Sequence, residues 1–237
     1  MKTIGLLGGM SWESTQEYYR AINVKVKERL GDLHSAKIAM VSVDFDPIER
    51  LQHQGDWEGT ARILSEAARN IEAAGADFLL ICTNTMHKVA PEIQASIHIP
   101  LLHIADATAQ AVLGKGIKTV GLLGTAFTME LPFYKKRLQE KYKLKVKIPE
   151  KSDRHMVHEV IYSELCLGKI DPASRKEYLR VIDDLAAQGA EAVIFGCTEI
   201  GLLVKQVDTS IPLLDTVDIH AQEAVEWALN ETALPSV

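Results

Sequence analysis

Short apolar runs recur along the chain and end in glycine, proline or small polar residues. They lie near residues 3–7, 36–43, 77–82, 100–103, 118–123 and 192–196. Runs of this length without polar alternation are typical of strands that are buried on both faces of a parallel sheet. The pattern therefore predicts strands at these six places.

Between the apolar runs, hydrophobic residues follow a helical spacing. Stripes at i, i+4 are formed by Tyr18, Ile22, Val26 and Leu30, and again by Ile63, Ala67 and Ile71. Another helix is predicted to begin at Asp171-Pro172, where aspartate can cap and proline fits the first turn, and to end before Gly189. Strands and helices thus alternate, which predicts an α/β fold with parallel sheets and functional groups beyond the carboxyl ends of the strands.

The chain also resembles itself in three successive segments. KTIGLLGG at 2–9 matches KTVGLLGT at 118–125, GADFLLICT at 75–83 matches GAEAVIFGC at 189–197, and IPLLHIADATAQ at 99–110 matches IPLLDTVDIHAQ at 211–222. The offsets of 116, 114 and 112 residues hardly drift, so we expect an internal duplication. The expected organisation is two pseudo-symmetric α/β lobes, residues 1–98 plus 213–237 and residues 99–212, with the active site in the cleft between them.

Composition narrows the class of protein. The 237 residues include 26 Lys and Arg against 32 Asp and Glu, a net charge of −6, and no basic run stands out. A nucleic acid or an anionic membrane is therefore not an expected partner. No apolar run approaches the about 20 residues that span a bilayer, and the N-terminal run is too short for a signal-peptide core. We expect a cytoplasmic protein.

The three cysteines are an odd and sparse set that indicates free thiols: Cys82, Cys166 and Cys197. Six residues separate Asp77 from Thr83 in the first repeat, and six separate Glu191 from Cys197 in the second. Cys197 is therefore equivalent to Thr83, and Cys82 lies one position early. Because a shift of one residue turns a side chain to the other face of a strand, Cys82 is predicted to point into the packing and Cys197 into the cleft.

Three segments resemble the motifs of the cofactor-independent aspartate/glutamate racemase superfamily: GLLGGMSWEST at 5–15, CTNTMH at 82–87 and GCTEIGLL at 196–203. Typical members carry Cys-Asn-Thr after a strand of the first lobe and Gly-Cys-Thr after a strand of the second, and the two thiols flank the substrate α-carbon. This chain keeps Gly196-Cys197-Thr198 but has Thr83 before Asn84-Thr85. With SVDF at 42–45 and HIADAT at 103–108, the Thr/Cys pair resembles the subgroup of L-aspartate/glutamate-specific racemases.

The resemblance implies a reaction and a set of residues. Cys197 would remove the α-proton of L-aspartate or L-glutamate, and Thr83 or water would serve the opposite face, with no cofactor and no metal. The implied substrate contacts are Met10, Gln52, Thr83, Asn84, Thr85, Thr125, Thr198 and, more weakly, Glu164 for the ammonium group. The implied assembly is a homodimer.

Two local effects are expected to assist this chemistry. The glycine-containing turns at 8–11 and 124–128 would let backbone N–H groups approach a carboxylate. A strand-to-helix turn after Cys197 would lower the pKa of its thiol, because a helix N-terminus favours negative charge.

Other functions stay open on the sequence alone. A maleate isomerase-like enzyme or a one-cysteine decarboxylase would also fit, since a decarboxylase needs a single acid and Thr83 is a poor base. A dicarboxylate-binding protein without catalysis is the third possibility. His87 either caps a helix or bonds the wall of the site, or takes part in catalysis, and Arg50 is available for the distal carboxylate.

Overall fold

The computed structural model describes residues 1–230 and Leu234. In this part the strands are β1 (Ile4–Gly8), β2 (Ile38–Ser42), β3 (Phe78–Ile81), β4 (Thr119–Gly124), β5 (Lys145–Lys147), β6 (Ala192–Gly196) and β7 (Leu213–Asp215). The helices are α1 (Trp12–Leu30), α2 (Phe45–Gln54), α3 (Trp57–Ala73), α4 (Ala90–Ala95), α5 (Ile104–Gly114), α6 (Ala126–Glu130), α7 (Pro132–Lys136), α8 (Lys151–Ser163), α9 (Pro172–Ala187), α10 (Ile200–Leu203) and α11 (Thr216–Leu229). Short 3₁₀ turns lie at Thr85–Val89, Leu165–Leu167 and Gln206–Asp208, and a π-helical turn lies at Arg137–Lys141.

The chain forms two compact units. Unit 1 comprises Met1–Ile104 and the described residues from His220 onward, and unit 2 comprises Ala105–Ile219. The sheet of unit 1 has the strand order β2-β1-β3, with parallel pairing throughout. Helix α3 covers this sheet with Leu64 and Ile71, which are fully buried because they fall on its apolar stripe.

The sheet of unit 2 is also parallel and has the order β5-β4-β6-β7. Helix α9 packs on it through Val181 and Leu185, which share a core with β6. The predicted limits of this helix are confirmed. The Asp171 carboxylate accepts a hydrogen bond from the Ala173 N–H at 2.8 Å, and the helix ends before Gly189, whose φ of +94° suits glycine. The architecture is thus the expected α/β class, with a helix-flanked parallel sheet in each unit.

The two sheets repeat the same backbone hydrogen bonds at the offsets seen in the sequence. One equivalent pair joins residues at or just before the starts of two neighbouring strands, β1 with β3 and β4 with β6. The other pair joins the third repeated segment to the strand beside it. They are Asp77 N–H to Thr3 C=O (2.8 Å) with Glu191 N–H to Thr119 C=O (2.9 Å), and Leu79 N–H to Pro100 C=O (2.9 Å) with Val193 N–H to Pro212 C=O (2.9 Å).

The boundaries of the units lie six and seven residues beyond those expected from the repeat, after Ile104 and Ile219. The reason is that each third repeated segment pairs with its own sheet. Leu101 forms a bridge to Leu79 in unit 1, and β7 pairs with β6 in unit 2. Residues 231–233 and 235–237, which the expected first lobe included, lie outside the described residues.

The final helix packs on unit 1. The N–H of Lys2 donates to the carbonyl of Ala228 at 2.8 Å, and the rings of Phe78 and Trp227 lie 5.4 Å apart. The hydroxyl of Tyr18 bonds the buried Nδ1 of His220 at 2.8 Å. These contacts fix His220 inside the first unit, close to the residues that follow β3.

Three local expectations differ from the structure. The run at 100–103 forms a single bridge, and the sequence pattern did not indicate the three-residue strands β5 and β7. Leu30, at the end of the predicted α1 stripe, is 41% exposed.

No helix in the described part of the chain is long and apolar enough to cross a membrane.

Candidate active site

Two predicted site residues of unit 2 follow neighbouring strands. Gly124 at the end of β4 pairs with Gly196 at the end of β6, and Thr125 and Cys197 come directly after them. A Cβ added to Gly124 would lie 2.8 Å from the Gly196 carbonyl oxygen, so only glycine permits this approach. Thr125 and Cys197 therefore lie at adjacent carboxyl ends of the same parallel sheet, where such folds place functional groups.

The thiol of Cys197 has a carboxylate as its hydrogen-bond partner. Its Sγ–H donates to Glu199 Oε2 at 3.0 Å, and the hydroxyl of Thr198 donates to the same oxygen at 2.7 Å. Cys197 is 7% exposed and Glu199 only 4% exposed. The sequence reasoning missed Glu199, although it stands in the GCTE motif two residues after the cysteine, and no periodicity shows that the turn folds its side chain back.

The expected lowering of the Cys197 pKa is wrong. Burial raises this pKa well above its ordinary value. The negative charge of Glu199, the charge that Cys166 carries when ionised, and the hydrogen bond to Glu199 raise it further. A hydrogen bond from the Glu199 backbone N–H lowers the pKa, as expected from a turn that follows a strand, but it is the smallest of these effects. The helix after the turn, α10, has only four residues, so its dipole is small.

A second carboxylate belongs to this part of unit 2. Burial raises the pKa of Tyr178, and the charges that Cys197, Glu164 and Cys166 carry when ionised raise it further, so these groups lie within electrostatic range of the Tyr178 ring. Glu164 directly follows α8 as its C-cap, and its Oε2 is buried without a hydrogen-bond partner. A buried carboxylate oxygen without a donor is costly and indicates a place for one.

Two backbone N–H groups in the turns that were predicted to approach a carboxylate already have hydrogen-bond partners. The N–H of Gly9 donates to Thr15 Oγ1 at 2.8 Å, and the N–H of Ala126 donates to His158 Nδ1 at 3.2 Å. The Oγ1 of Thr125 accepts from the N–H of Thr128 at 3.3 Å and so caps α6. The two N–H groups are therefore engaged by the side chains of Thr15 and His158, and the Thr125 hydroxyl is engaged in helix capping.

The remaining predicted residues lie in unit 1, around the ends of its strands. Met10 follows β1, the triplet Thr83-Asn84-Thr85 follows β3, and Gln52 belongs to α2, the helix after β2. All five are buried, with exposed fractions of 9% or less. Cys82 is fully buried and burial raises its pKa, which agrees with its predicted position in the packing.

His87 and Arg50 have clear roles in the structure. The Nδ1 of His87 bonds the Thr83 carbonyl at 2.8 Å, while its Nε2 accepts from the Ile104 N–H at 3.2 Å. Arg50 is exposed and pairs with Asp46 on the same helix at 3.0 Å. Within the described residues, no group of three or more His, Cys, Asp or Glu side chains could hold a metal ion.

Comparison with known proteins gives the family of this chain. The Asp/Glu/hydantoin racemase family model matches residues 7–224. A structure from Yersinia pestis, described as a candidate Asp/Glu racemase, is 55% identical with a TM-score of 0.91, covering 97% of this chain and 100% of that one. An aspartate racemase homologue from Pyrococcus horikoshii OT3 is 33% identical with a TM-score of 0.83 over the same shares. The broad-specificity amino-acid racemase RacX of Bacillus subtilis strain 168 is 21% identical over 234 residues, 95% of this chain and 98% of that protein.

The chain therefore belongs to the Asp/Glu/hydantoin racemase family. The folds of glutamate racemases from Francisella tularensis and Aquifex pyrophilus also match, with TM-scores of 0.64 and 0.66 at 14% and 17% identity.

Proposed function

We propose that this protein is a pyridoxal-phosphate-independent racemase of L-aspartate, L-glutamate or both, in which Cys197 removes the α-proton. One observation carries the proposal: the buried thiol of Cys197 donates a hydrogen bond to the buried carboxylate of Glu199. A thiol becomes a base only when its proton has an acceptor, and Glu199 provides one without solvent. The names of the Yersinia and Pyrococcus relatives support an acidic amino acid as substrate.

The raised pKa of Cys197 suits the abstraction of a weakly acidic proton. Forming the thiolate costs free energy, but a thiolate of higher pKa is the stronger base once formed. In the proposed cycle, Glu199 takes the thiol proton, and the thiolate then takes the α-proton of the L-enantiomer. The resulting carbanion receives a proton on its opposite face from the Thr83 hydroxyl or from water. Glu199 then releases its proton to solvent, and solvent returns a proton to the Thr83 oxygen or to the hydroxide that was left.

Glu164 is proposed to bind the substrate ammonium group. Its buried Oε2 has no hydrogen-bond partner, and a charged N–H donor would supply one with a strong, charge-assisted bond. The family resemblance supports Met10, Gln52, Thr83, Asn84, Thr85, Thr125 and Thr198 as further substrate contacts. Thr198 already donates its proton to Glu199, so its oxygen is left to act as an acceptor.

The pairing of Cys197 with Thr83 predicts that the two enantiomers differ in how readily they exchange the α-proton without racemising. If Cys197 exchanges its proton with Glu199 before returning it, an L-substrate gains solvent hydrogen without inversion. The same event from the D-enantiomer would need Thr83 as the base, and a hydroxyl is a very poor base at neutral pH. The equilibrium between the enantiomers is unaffected, since a catalyst cannot move it.

The test is incubation of the purified protein with L-aspartate, L-glutamate, maleate and a substituted malonate, followed by chiral chromatography. Formation of D-aspartate or D-glutamate supports the proposal. Fumarate from maleate, or carbon dioxide from the malonate, without any D-amino acid would instead indicate another reaction of the superfamily. Binding of the L-amino acids without α-proton exchange would indicate a dicarboxylate-binding protein.

A further inference from the structure

His87 joins two segments of unit 1 through one imidazole ring. Because Ile104 donates its N–H to Nε2, this nitrogen carries no proton, and Nδ1 must carry the proton that binds the Thr83 carbonyl. The neutral tautomer is thereby fixed. The ring is 2% exposed and both of its nitrogens are engaged by the backbone, so it is not placed to transfer protons.

The local backbone explains why Thr83 needs this bond. The turn Thr85–Val89 is a 3₁₀ turn, in which the N–H of His87 donates to the carbonyl of Asn84 at 3.1 Å. In an α-helix the same N–H would donate to the carbonyl of Thr83. The imidazole supplies a donor at 2.8 Å in its place.

The ring itself is held by its surroundings. It packs against the ring of His103 at 4.5 Å and lies 6.1 Å from the ring of His220. His220 is bonded to the carbonyl of Leu102 at 2.9 Å and to the Tyr18 hydroxyl at 2.8 Å. The segment 102–104 and the start of the 3₁₀ turn are therefore tied together by buried histidines.

We infer that His87 is a positioning residue that holds the backbone of Thr83, and with it the hydroxyl that serves the second face of the substrate. The inference rests on the proposed racemase function. It predicts a specific kinetic effect: loss of the Nδ1–H bond impairs delivery of the proton by Thr83 but leaves α-proton removal by Cys197 intact. The measured quantity is the ratio of racemisation to α-proton exchange with L-glutamate or L-aspartate in deuterated water.

Two amide variants distinguish the contributions of the two ring nitrogens of His87. In His87→Asn, the amide nitrogen replaces Nδ1 and can still donate to Thr83, whereas His87→Gln carries its amide at the position of Nε2 and can still accept from Ile104. We expect His87→Gln and His87→Ala to lower the ratio by about tenfold or more, and His87→Asn to keep it within about twofold of the wild type. Thr60→Val is the matched control, since it removes a buried hydroxyl of α3 that bonds the Asp56 carbonyl at 2.9 Å, and it should lower the Tm but not the ratio.

A uniform loss of exchange and racemisation in His87→Gln, with an unchanged ratio, would overturn the inference, because loss of folded protein affects both reactions equally. Equal ratios in His87→Asn and His87→Gln would overturn it as well. Absence of exchange in the wild type would refute the proposed function instead. In that case a crystal structure of His87→Ala decides: a displaced Thr83 peptide supports the positioning role, and an unmoved one refutes it.

Discussion

The thiol of Cys197 and the carboxylate of Glu199 form a buried hydrogen-bonded pair, with Sγ and Oε2 3.0 Å apart. The hydroxyl of Thr198 donates to the same oxygen and fixes the orientation of the carboxylate. The pair accounts for two properties at once. It raises the thiol pKa, and in the proposed cycle it supplies the acceptor for the thiol proton.

Glu199→Gln should separate these two properties. Removal of the negative charge lowers the pKa of Cys197, so the thiolate, followed by its ultraviolet absorbance or by alkylation, forms at lower pH than in the wild type. The exchange rate with L-substrates nevertheless falls by about 10²–10⁴-fold, the usual contribution of a proton acceptor.

Glu159→Gln is the control for the Glu199 variant, because Glu159 is an exposed glutamate of α8 in the same unit. It should change neither the thiol titration nor the exchange rate. An unchanged rate in Glu199→Gln would show that the thiol proton leaves by another route.

Thr83→Cys should restore a base on the second face. We expect D-aspartate or D-glutamate to exchange the α-proton with retention of configuration at least about tenfold faster than in the wild type, because a thiolate is a far better base than a hydroxyl. Proton NMR in deuterated water measures this rate. Thr83→Ser keeps the hydroxyl and is the control; no gain with Thr83→Cys would contradict the two-sided assignment.

Gly9→Ala should destabilise the turn that follows β1. The φ of Gly9 is +95°, and an added Cβ would lie 2.2 Å from the Val43 carbonyl oxygen. Gly75→Ala is a matched control, with a φ of +89° and nothing within 4 Å of an added Cβ. Chemical denaturation should give a loss of about 1–2 kcal/mol for Gly75→Ala and at least about 2 kcal/mol more for Gly9→Ala. Equal losses would show that the turn relaxes to admit the methyl group.

His220 should make folding sensitive to mild acid. Burial lowers its pKa from 6.5 to about 4, so the unfolded chain binds the proton more tightly than the folded one. The stability that comes from neutral His220 is fully present above pH 6.5 and is lost as the pH falls towards 4. Between pH 7 and pH 5 the loss is about 2 kcal/mol.

Denaturant unfolding of the wild type and of His220→Gln at both pH values isolates this contribution. The variant should be less stable at pH 7 but should lose about 2 kcal/mol less on acidification. Replacement of the exposed His34 by glutamine should leave the wild-type difference unchanged. Parallel losses in the wild type and in His220→Gln would show that His220 does not remain neutral.

Much of the fold could be predicted because buried strands and helix faces require apolar residues at regular positions in the sequence. Strands β1, β3, β4 and β6 are apolar runs, and α9 carries its own cap and stop. Strand β5 could not be predicted, because an edge strand of three residues, Lys145–Lys147, has two exposed lysines and too little apolar length. The limits of the units lie six and seven residues beyond the expected ones, because each third repeated segment pairs with its own sheet.

Only part of the candidate site could be predicted from the sequence. The internal repeat and the family motifs identified Thr83 and Cys197. The hydrogen-bond partners of these two residues, however, are set by local folding that the sequence pattern does not show. Glu199 reaches Cys197 through a tight turn, and His87 reaches Thr83 because the turn is 3₁₀ rather than α-helical. The direction of the Cys197 pKa shift depends mainly on burial of the thiol, and the spacing of residues along the sequence does not reveal that burial.

The most direct test of the racemase assignment is the exchange of the α-proton of L-aspartate and L-glutamate in deuterated water, followed by proton NMR for the wild type and for Cys197→Ser. The wild type should exchange the α-proton of at least one of the two, and Cys197→Ser should abolish this exchange while circular dichroism shows an intact fold. Exchange that continues unaltered in Cys197→Ser would contradict the assignment of Cys197 as the base.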